Sequence, residues 1–476
     1  MNRRTGPSRR WLAPVLGLAL ATVGLAAGSP LEAQAPIRIG AVFPLTGNAG
    51  GLAAQEYRGV RIAADLVNAG GGVNGRRIEL DVRDLESADQ APAVMASLRA
   101  GGESVVLGAY SSDLSEAASA AASAEGLVYW EAGAVADRLT GRGLPLVFRV
   151  GASGTTLGDD SATFAADELA PRLGRRPTDL RLAIVAADDD YAASVADAAA
   201  RTATGAGVPI VARLTYDLLM PRWASIMQRL GAVRPDVVVL ASHIPDGVAF
   251  RHAMVAAGLH VGALIGTTMA ECDPDFAGEL GAEAIGIFAS DRPVAGFRPG
   301  ALAPAALAVY RRFAAAWDAG DAVEVRRDAG SDAALGWGAW SAAPGGGYAG
   351  RGSSPGSGMS NARFAIAGPA SAVTLGGPTE EAISGFTAAW ALFRDVLPSA
   401  TGLDAASVAA AARRVDLPQG SLPNGAGLRF SSDPGALGQN ERAAGVIWQW
   451  QAVQSYTYVW PPTYATGSIG FVPLPR

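Results

Sequence analysis

The sequence predicts an α/β protein with two doubly wound lobes, each built around a parallel β-sheet. Short apolar runs alternate with helical patterns of about 10–15 residues. This alternation forms two series of similar size, separated by the Gly-rich segment 151–154. The chain is 49% hydrophobic and 17% charged, which supplies enough apolar side chains for a large core. Ligands of such folds bind beyond the carboxyl ends of the strands.

The first series begins with a β-rich run at 37–43, followed by apolar residues at helical spacing over 57–67. In order, it predicts strand 37–43, helix 57–67, strand 78–83, helix 91–98, strand 104–109, helix 113–124, strand 127–130 and strand 146–150. The second series predicts helix 157–169, strand 182–186, helix 192–202, strand 210–215, helix 222–230, strand 237–241, helix 247–257 and strand 264–267.

The remaining chain predicts three amphipathic helices and one aromatic strand. The helices are 301–319, 380–396 and 405–413, the strand is 446–451, and 458–464 is expected to be a tail. Between the first two helices, 330–358 contains ten glycines in 29 positions. That composition favours a flexible surface insertion, although a stretch of altered reading frame would look similar.

The N-terminus has the pattern of a cleavable export signal. The first ten residues include four arginines and no acid, 12–27 is apolar and uncharged, and Ala33-Gln34-Ala35 resembles a cleavage site. Residues 8–12 partly resemble a twin-arginine signal, so both the Sec and the Tat routes stay open. The pattern predicts a periplasmic or otherwise extracytoplasmic protein with no spanning helix.

Composition excludes several classes of function. The net charge is −6 and all 38 basic residues are arginine, which argues against a nucleic-acid binder. A single cysteine, Cys272, rules out an intrachain disulfide framework, and the three histidines lack zinc spacing. Without lysine there is no Schiff-base chemistry and no P-loop. We therefore expect no metal and no cofactor.

Three local motifs carry no function on this interpretation. The glycines at 70–75 match G-x-G-x-x-G, but a helix precedes them and a strand follows, the reverse of a dinucleotide site. The G-x-S-x-G at 352–356 lacks a strand–turn–helix context. Asp188, Asp189 and Asp190 are interpreted as helix-entry carboxylates rather than a metal site.

The end of strand 104–109 has the most informative local chemistry. Tyr110, Ser111 and Ser112 follow the strand, and Asp113 and Glu116 have capping-box spacing at the start of a helix. Simple N-capping explains this pattern. The two hydroxyls and the N–H groups of the first turn also suit a small anion such as a carboxylate.

Two other strand-end segments complete the predicted site. In the loop after strand 127–130, the small residues Gly133 and Ala134 allow a ligand to approach the backbone. Tyr191 occupies the equivalent strand-to-helix turn of the second lobe, where its ring can stack on a ligand.

Together the segments resemble the branched-chain amino-acid-binding family of periplasmic solute-binding proteins of ABC transporters. The resemblance rests on 39–47 (IGAVFPLTG), 70–75 (GGGVNG), 110–112 (YSS), 138–143 (RLTGRG), 190–191 (DY), 243–246 (HIPD) and 256–258 (AAG). It covers about 37–320 and 380–464, and 330–370 departs from it.

The resemblance implies a type I periplasmic binding protein, whose two lobes are joined by a three-crossover hinge and close on a ligand. With the export signal at 1–35, the predicted domains are lobe 1 from 36–153 plus 277–418 with the insertion at about 330–370, and lobe 2 from 154–276 plus 419–476.

The resemblance also assigns roles by position. Ser112 would bind a ligand carboxylate, Gly133 would offer backbone groups, and Tyr191 would contact the ligand from lobe 2. Val135 stands where relatives tend to have a threonine, and Thr268 where they have a carboxylate. Glu131, Glu271 or His243 would supply the missing polar contact. The predicted ligand-binding set is Tyr110, Ser111, Ser112, Glu131, Gly133, Ala134, Val135, Tyr191, His243, Thr268 and Glu271.

The leading hypothesis is a monomeric binding protein, not an enzyme, that passes an amino-acid-like or small amide or carboxylate ligand to an ABC permease in the inner membrane. The alternative is a ligand-sensing module for a membrane receptor. An exported hydrolase ranks third because the sequence offers no credible triad. The export signal and the lack of a basic helix-turn-helix disfavour a transcription regulator.

Overall fold

The computed structural model describes residues 1, 2, 6, 34–47, 50–268, 270–272, 274–327, 364–366, 374–375, 378–453 and 455–476. The chain divides into two units, Met1–Gln34 and Ala35–Arg476, and every element below lies in the second. Most of the predicted signal segment 1–35 and of the predicted insertion 330–370 lies outside the described residues.

The first lobe is built on a five-stranded parallel sheet with the order β2-β1-β3-β4-β5. Its strands are β1 (Ile37–Phe43), β2 (Ile78–Asp84), β3 (Val105–Gly108), β4 (Val128–Glu131) and β5 (Val147–Arg149). The intervening helices are α1 (Gly50–Ala69), α2 (Ala91–Gly101), α3 (Ser112–Ala124) and α4 (Arg138–Gly141). Because the chain moves from β1 to β2 on one side and to β3 on the other, a crevice opens at the carboxyl ends of β1 and β3.

The second lobe is built on a nine-stranded mixed sheet with the order β12-β11-β16-β15-β10-β9-β8-β6-β7. Its strands are β6 (Leu182–Ala187), β7 (Ile210–Tyr216), β8 (Val237–Ala241), β9 (Ala263–Thr267), β10 (Phe288–Asp291), β11 (Phe364–Ile366), β12 (Thr374–Leu375), β15 (Val446–Ala452) and β16 (Ser455–Trp460). Strands β6 to β10 are parallel, and β15 runs antiparallel to β10. The direction of winding reverses between β6 and β8.

Helices and one short β-pair fill the rest of the fold. They are α5 (Gly154–Phe164), α6 (Ala170–Arg172), α7 (Asp190–Gly205), α8 (Trp223–Val233), α9 (Ile244–Ala256), α10 (Pro274–Leu280), α11 (Pro304–Arg327), α12 (Glu380–Trp390), α13 (Ala405–Ala412), β13 (Asp416–Leu417) and β14 (Leu428–Arg429). No helix in the described part of the chain has the length and apolar character needed to cross a membrane. The predicted α/β fold class with two doubly wound lobes is confirmed.

Within the described residues, the chain passes between the two lobes at 150–153, 292–303 and 443–445, and the short strands β11 and β12, which lie between α11 and α12 in the chain, also join the second sheet. The positions of these connections differ from the predicted boundaries at 277 and 419. Strand β10 pairs with β9 in the second sheet, so lobe 2 continues to residue 291. The segment before β15 instead pairs with the first lobe, because Arg149 donates its N–H to Gly438 O and Asn440 donates to Arg149 O. The pairing of β10 with β9 and that of residues 438–440 with Arg149 join segments that are distant in sequence, so local periodicity does not predict them.

The predicted tail at 458–464 is partly a strand. Residues 455–460 form β16, which pairs with the correctly predicted aromatic strand β15 in an antiparallel hairpin. Tyr456 and Tyr458 of β16 are buried against Trp448 of β15. Aromatic residues that alternate along an extended segment are the signal that the sequence interpretation missed.

A close crossing of α1 and α12 depends on glycine. A Cβ atom on Gly59 would lie 2.1 Å from the carbonyl oxygen of Ala382, and one on Gly385 would lie 2.1 Å from the carbonyl oxygen of Glu56. We expect Gly59→Ala to force the two helices apart and to lower the free energy of unfolding by about 1–3 kcal/mol. Urea denaturation followed by circular dichroism measures this loss.

Gly231 provides the matched control for that substitution. It is exposed within α8, and no atom lies within 4 Å of a Cβ built there. Gly231→Ala should therefore raise the free energy of unfolding by about 0.4–1 kcal/mol, since it restricts the unfolded chain at no steric cost. Equal losses for both variants would show that helix packing is not the cause.

Candidate functional site

The predicted site residues lie at the carboxyl edges of the two sheets. The ends of β3 and β4 carry Tyr110, Ser111, Ser112, Glu131, Gly133, Ala134 and Val135, and the ends of β6, β8 and β9 are followed by Tyr191, His243, Thr268 and Glu271. The two groups sit beside the points where each lobe reverses its winding, as expected for a ligand site in this fold class.

Ser111 and Ser112 form the start of α3. The sequence predicted a helix that begins at Asp113, but α3 begins at Ser112 and Ser111 is its N-cap. Ser111 Oγ accepts a hydrogen bond from the N–H of Leu114 at 3.4 Å, three residues on, which fixes the start of the helix there. Ser112 Oγ accepts from the N–H of Ala136 at 3.1 Å. Both serines are half-buried, so the first turn of α3 presents N–H groups and a hydroxyl beside the crevice.

Two predicted site residues have left-handed backbone conformations. Tyr110 has φ 84° and Thr268 has φ 39°, and neither is a glycine. Such conformations cost about 1–3 kcal/mol and concentrate at functional sites. Both follow strand ends, one in each lobe, which fits a role in shaping the site.

Glu131 is a structural acceptor in this fold. Its side chain is fully buried, and Oε1 accepts from the N–H groups of Ala132, Gly133 and Ala134 at 3.0, 2.8 and 2.7 Å. Burial raises the pKa of Glu131 to about 7 against the opposing effect of these hydrogen bonds. The sequence predicts that this carboxyl contacts the ligand, but the Glu131 side chain has no exposed surface through which to do so.

The backbone of Gly133 is engaged on both sides. Its N–H donates to Glu131, and its carbonyl oxygen accepts from Nη1 of Arg292 at 2.5 Å. A Cβ atom here would lie 2.2 Å from Oε2 of Glu56, so a larger residue would require the Glu56 side chain to shift. The sequence predicts that the backbone groups of Gly133 bind the ligand. In the structure, both groups already form hydrogen bonds within the protein. Ala134 and Val135 are buried beside it.

Arg292 lies at the centre of a buried cluster of carboxyls. Its Nε lies 2.8 Å from Glu380 Oε1 and 3.7 Å from Asp291 Oδ1, and all three side chains are at least 90% buried. Burial lowers the pKa of Arg292, but the carboxyls of Glu380, Asp291 and Glu56 outweigh that effect and raise it overall. Burial, and then repulsion from Glu131, raises the pKa of Glu56. Arg292 is therefore charged, and the surrounding carboxyls are more readily protonated than usual.

Tyr191 faces into lobe 2. It is 4% exposed, and its hydroxyl donates to the carbonyl oxygen of Thr267 and lies 3.2 Å from that of Ser242. Burial raises the pKa of this phenol well above its usual value. The sequence predicts that the ring stacks on or closes over a ligand, and the structure adds that the hydroxyl joins the ends of β8 and β9.

His243 is half-buried at the N-cap of α9, between two carboxylates. Its Nε2 lies 3.6 Å from Oδ2 of Asp189 and its Nδ1 lies 4.0 Å from Oδ1 of Asp246. Asp189 caps α7, accepting from the N–H of Ala192 at 2.8 Å. Burial raises the pKa of Asp189, His243 opposes this, and Asp113 at the start of α3 adds to it. Repulsion from Asp113 places this group within electrostatic range of the start of α3 in the first lobe.

Glu271 and Thr268 are buried at the end of β9. Glu271 is fully buried with Oε1 at 3.4 Å from the hydroxyl of Ser242, and burial raises its pKa well above the usual value. Thr268 is 1% exposed and donates its N–H to Ser290 O. Of the three residues predicted to supply an extra polar contact, only His243 retains exposed side-chain surface.

Arg138 bridges the two lobes next to the site. Its Nη1 lies 3.0 Å from Asp190 Oδ2 of α7 and 3.4 Å from Glu116 Oε2 of α3. The N–H of Asp137 donates to Ser194 Oγ of α7 at 3.0 Å. The start of α3 and the start of α7 thus lie close together across the crevice.

Sequence reasoning missed Arg292, Glu56 and Glu380. Arg292 follows a four-residue strand that was not predicted, and the two glutamates lie on helices where a charged residue is ordinarily solvated. The available signals were weak, namely Asp291 directly before Arg292 and two adjacent acids at the start of α12. Across the described residues, no group of three histidine, cysteine or acidic side chains is arranged to hold a metal ion.

The family model described as "Periplasmic binding protein" matches residues 36–341 of the chain. The chain is 32% identical over 260 residues to "Leu/Ile/Val-binding protein homolog 8" of Brucella suis biovar 1, an alignment that covers 54% of this chain and 63% of that protein. It is 32% identical over 251 residues to "Leu/Ile/Val-binding protein homolog 7" of Brucella melitensis, covering 52% and 62%. The chain therefore spans less than two thirds of the length of the curated relatives it matches.

Solved structures show the same fold. The branched-chain amino acid transporter substrate-binding protein LivJ from Streptococcus pneumoniae, in complex with isoleucine, aligns with a TM-score of 0.62 at 16% identity and covers 90% of this chain and 100% of that one. A solute-binding protein from R. palustris in complex with benzoate aligns with a TM-score of 0.61 at 16% identity, covering 91% and 98%.

Proposed function

This chain belongs to the periplasmic binding protein family, and from that premise we propose that it captures a small ligand outside the cytoplasm and delivers it to an ABC permease. The ligand is amino-acid-like or a small carboxylate or amide. It binds between the lobes, and its contacts with both favour the closed form. Closure requires no chemical step.

One observation carries the proposal. The first turn of α3, with the half-buried Ser111 and Ser112, lies at the carboxyl end of β3 and faces the start of α7 across the crevice. Backbone N–H groups at a helix start favour a carboxylate. On the opposite wall, Asp189 and His243 offer polar groups to the remainder of the ligand. The names of relatives, which refer to leucine, isoleucine and valine, agree with this ligand class.

A thermal-shift screen of the purified protein tests the proposal. The panel contains L-leucine, L-isoleucine, benzoate, small amides and ureas. A ligand at 100 times its Kd stabilises the folded state by about 2.7 kcal/mol, which raises Tm by a measurable amount. Calorimetry then gives the Kd. If folded protein shows no shift with any member of the panel, the proposed ligand class is wrong.

Replacing Ser112 with alanine is expected to weaken binding of the ligand found in that screen by about 1–3 kcal/mol. The substitution removes the hydroxyl beside the ligand carboxylate and leaves the N–H of Ala136 without its acceptor. Titration calorimetry of the variant measures the change. Ser123→Ala is the control, since Ser123 lies at the far end of α3 and its hydroxyl has no hydrogen-bond partner. An unchanged Kd for Ser112→Ala would remove Ser112 from the site.

A further inference from the structure

Residues 132–136 form most of the loop between β4 and α4, and the N–H groups of the first three are held by one side chain. Glu131 accepts three successive backbone N–H groups through one carboxyl oxygen, at 2.7–3.0 Å. These N–H groups are buried together with the carboxyl. A buried N–H that loses its acceptor is costly, so removal of this one side chain would disturb three consecutive residues of the loop.

The carbonyl groups of the same loop are held by buried guanidinium groups. Arg149 is 1% exposed and its Nη1 donates to the carbonyl oxygens of Ala134 at 3.3 Å and Ala136 at 2.6 Å. Its Nε donates to Gln439 Oε1 at 2.5 Å, which fixes the guanidinium from the other side. Burial lowers the pKa of Arg149 to about 10, so it remains charged at neutral pH. The loop therefore lies between a carboxyl on its N–H side and a guanidinium on its carbonyl side.

The loop in turn contacts two functional parts of the fold. The N–H of Ala136 donates to the hydroxyl of Ser112, and the carbonyl oxygen of Val135 accepts from the N–H of Gly154, the first residue of α5, directly after the connection at 150–153. The position of the Ser112 hydroxyl thus depends on the position of residue 136. Groups that contact a ligand need such a supporting layer to stay in place.

We infer that Glu131 and Arg149 are positioning residues, which hold the loop 132–136 and through Ala136 the hydroxyl of Ser112 in the geometry that binds the ligand. The inference rests on the proposed function, and it gives Glu131 a different role from the ligand contact predicted from the sequence. Neither side chain has exposed surface to offer a ligand, since Glu131 is 0% and Arg149 is 1% exposed.

Four variants test this role. Glu131→Leu removes the acceptor, Glu131→Gln keeps an oxygen in its place, and Arg149→Met releases the carbonyl groups. Glu103→Leu is the matched control, since Glu103 is also fully buried but pairs with Arg38 before the amino end of β3. Amide hydrogen exchange of residues 132–136 is measured without ligand. Calorimetry with L-leucine, or with benzoate if L-leucine does not bind, gives the Kd.

In Glu131→Leu we expect the loop amides to exchange at least tenfold faster and the Kd to rise at least tenfold. Arg149→Met should show the same pattern, and it provides the test if Glu131→Leu does not fold. Glu131→Gln should retain the Kd within about twofold, and Glu103→Leu should lower Tm without changing the Kd or the loop exchange. A wild-type Kd in folded Glu131→Leu would overturn the inference.

The hydrogen-exchange measurement separates the two proposals. If the wild-type protein binds neither probe, the proposed function fails for these ligands, while amide exchange still tests whether Glu131 holds the loop 132–136. Loop amides that exchange no faster in Glu131→Leu than in Glu103→Leu would refute the positioning role, whatever the ligand.

Discussion

Replacing Arg292 with methionine is expected to lower the free energy of unfolding by about 3–5 kcal/mol at pH 7.5. The guanidinium pairs with Glu380 and Asp291 and donates to the carbonyl oxygen of Gly133, all within the protein interior. Removing only the positive partner leaves buried carboxylates without a neutralising charge. The free energy lost in this way is larger than the net stabilisation that the intact ion pair provides. Denaturation in urea measures the loss.

The pH dependence of this loss provides an internal control. At pH 5 the surrounding carboxyls can take up protons, so the cost of Arg292→Met should be smaller than at pH 7.5. The exposed pair of Arg213 and Asp197 gives a matched comparison, and Arg213→Met should cost at most about 1 kcal/mol. Equal effects of the two substitutions would contradict the assignment of Arg292 as the charge that stabilises the cluster.

The wild-type protein is expected to lose stability as the pH rises from about 5 to 8. The pKa of Glu131 is raised from 4.5 to about 7, with burial as the main cause, so between these values the folded chain holds a proton that the unfolded chain releases. The stabilisation is complete below pH 4.5 and is lost as the pH rises through 7. For this group titrating alone the loss is about 3 kcal/mol, and the raised pKa values of Glu56 and Glu271 act in the same direction.

Glu131→Gln isolates the contribution of this carboxyl. The amide keeps an oxygen for the three loop N–H groups but does not titrate, so the loss of stability between pH 5 and 8 should shrink by about 1–3 kcal/mol. The charged or titratable groups around it are Glu56, Tyr129, Arg149 and Arg292, and these stay unchanged. Glu79→Gln, at an exposed position of β2, should leave the slope as it is. A stability that rises over this pH range would contradict the prediction.

Much of the fold was predictable because its signals are local. The alternation of apolar runs and helical periods located β1 to β9 and most helices, since those patterns depend on residues a few positions apart. Strand β10 was not predicted because it is four residues long and contains the buried residues Ser290 and Asp291, which do not produce an apolar run. Strand β16 was not predicted because its segment of alternating aromatic residues was interpreted as a tail.

The sequence predicted where a site would lie, but it did not indicate which of its polar groups are already engaged within the protein. The rule that ligands bind at the carboxyl ends of parallel strands placed Ser112, Gly133 and His243 at the two facing edges. It could not indicate that the hydroxyl of Tyr191 is directed to the ends of β8 and β9, or that three loop N–H groups enclose Glu131. These facts depend on which atoms are left exposed after packing.

The sequence by itself determined the α/β class, the two lobes and the strand-end loops of this protein, because each follows from periodicity and turn chemistry within short windows. Only the tertiary structure decided which polar groups of those loops are already engaged. Arg292 reaches Gly133 across 159 positions of sequence, and Arg149 reaches Gln439 across 290. A hydrogen bond forms between groups that meet in space, so the partners of a buried charge are set by the packing of distant elements rather than by its neighbours in the chain.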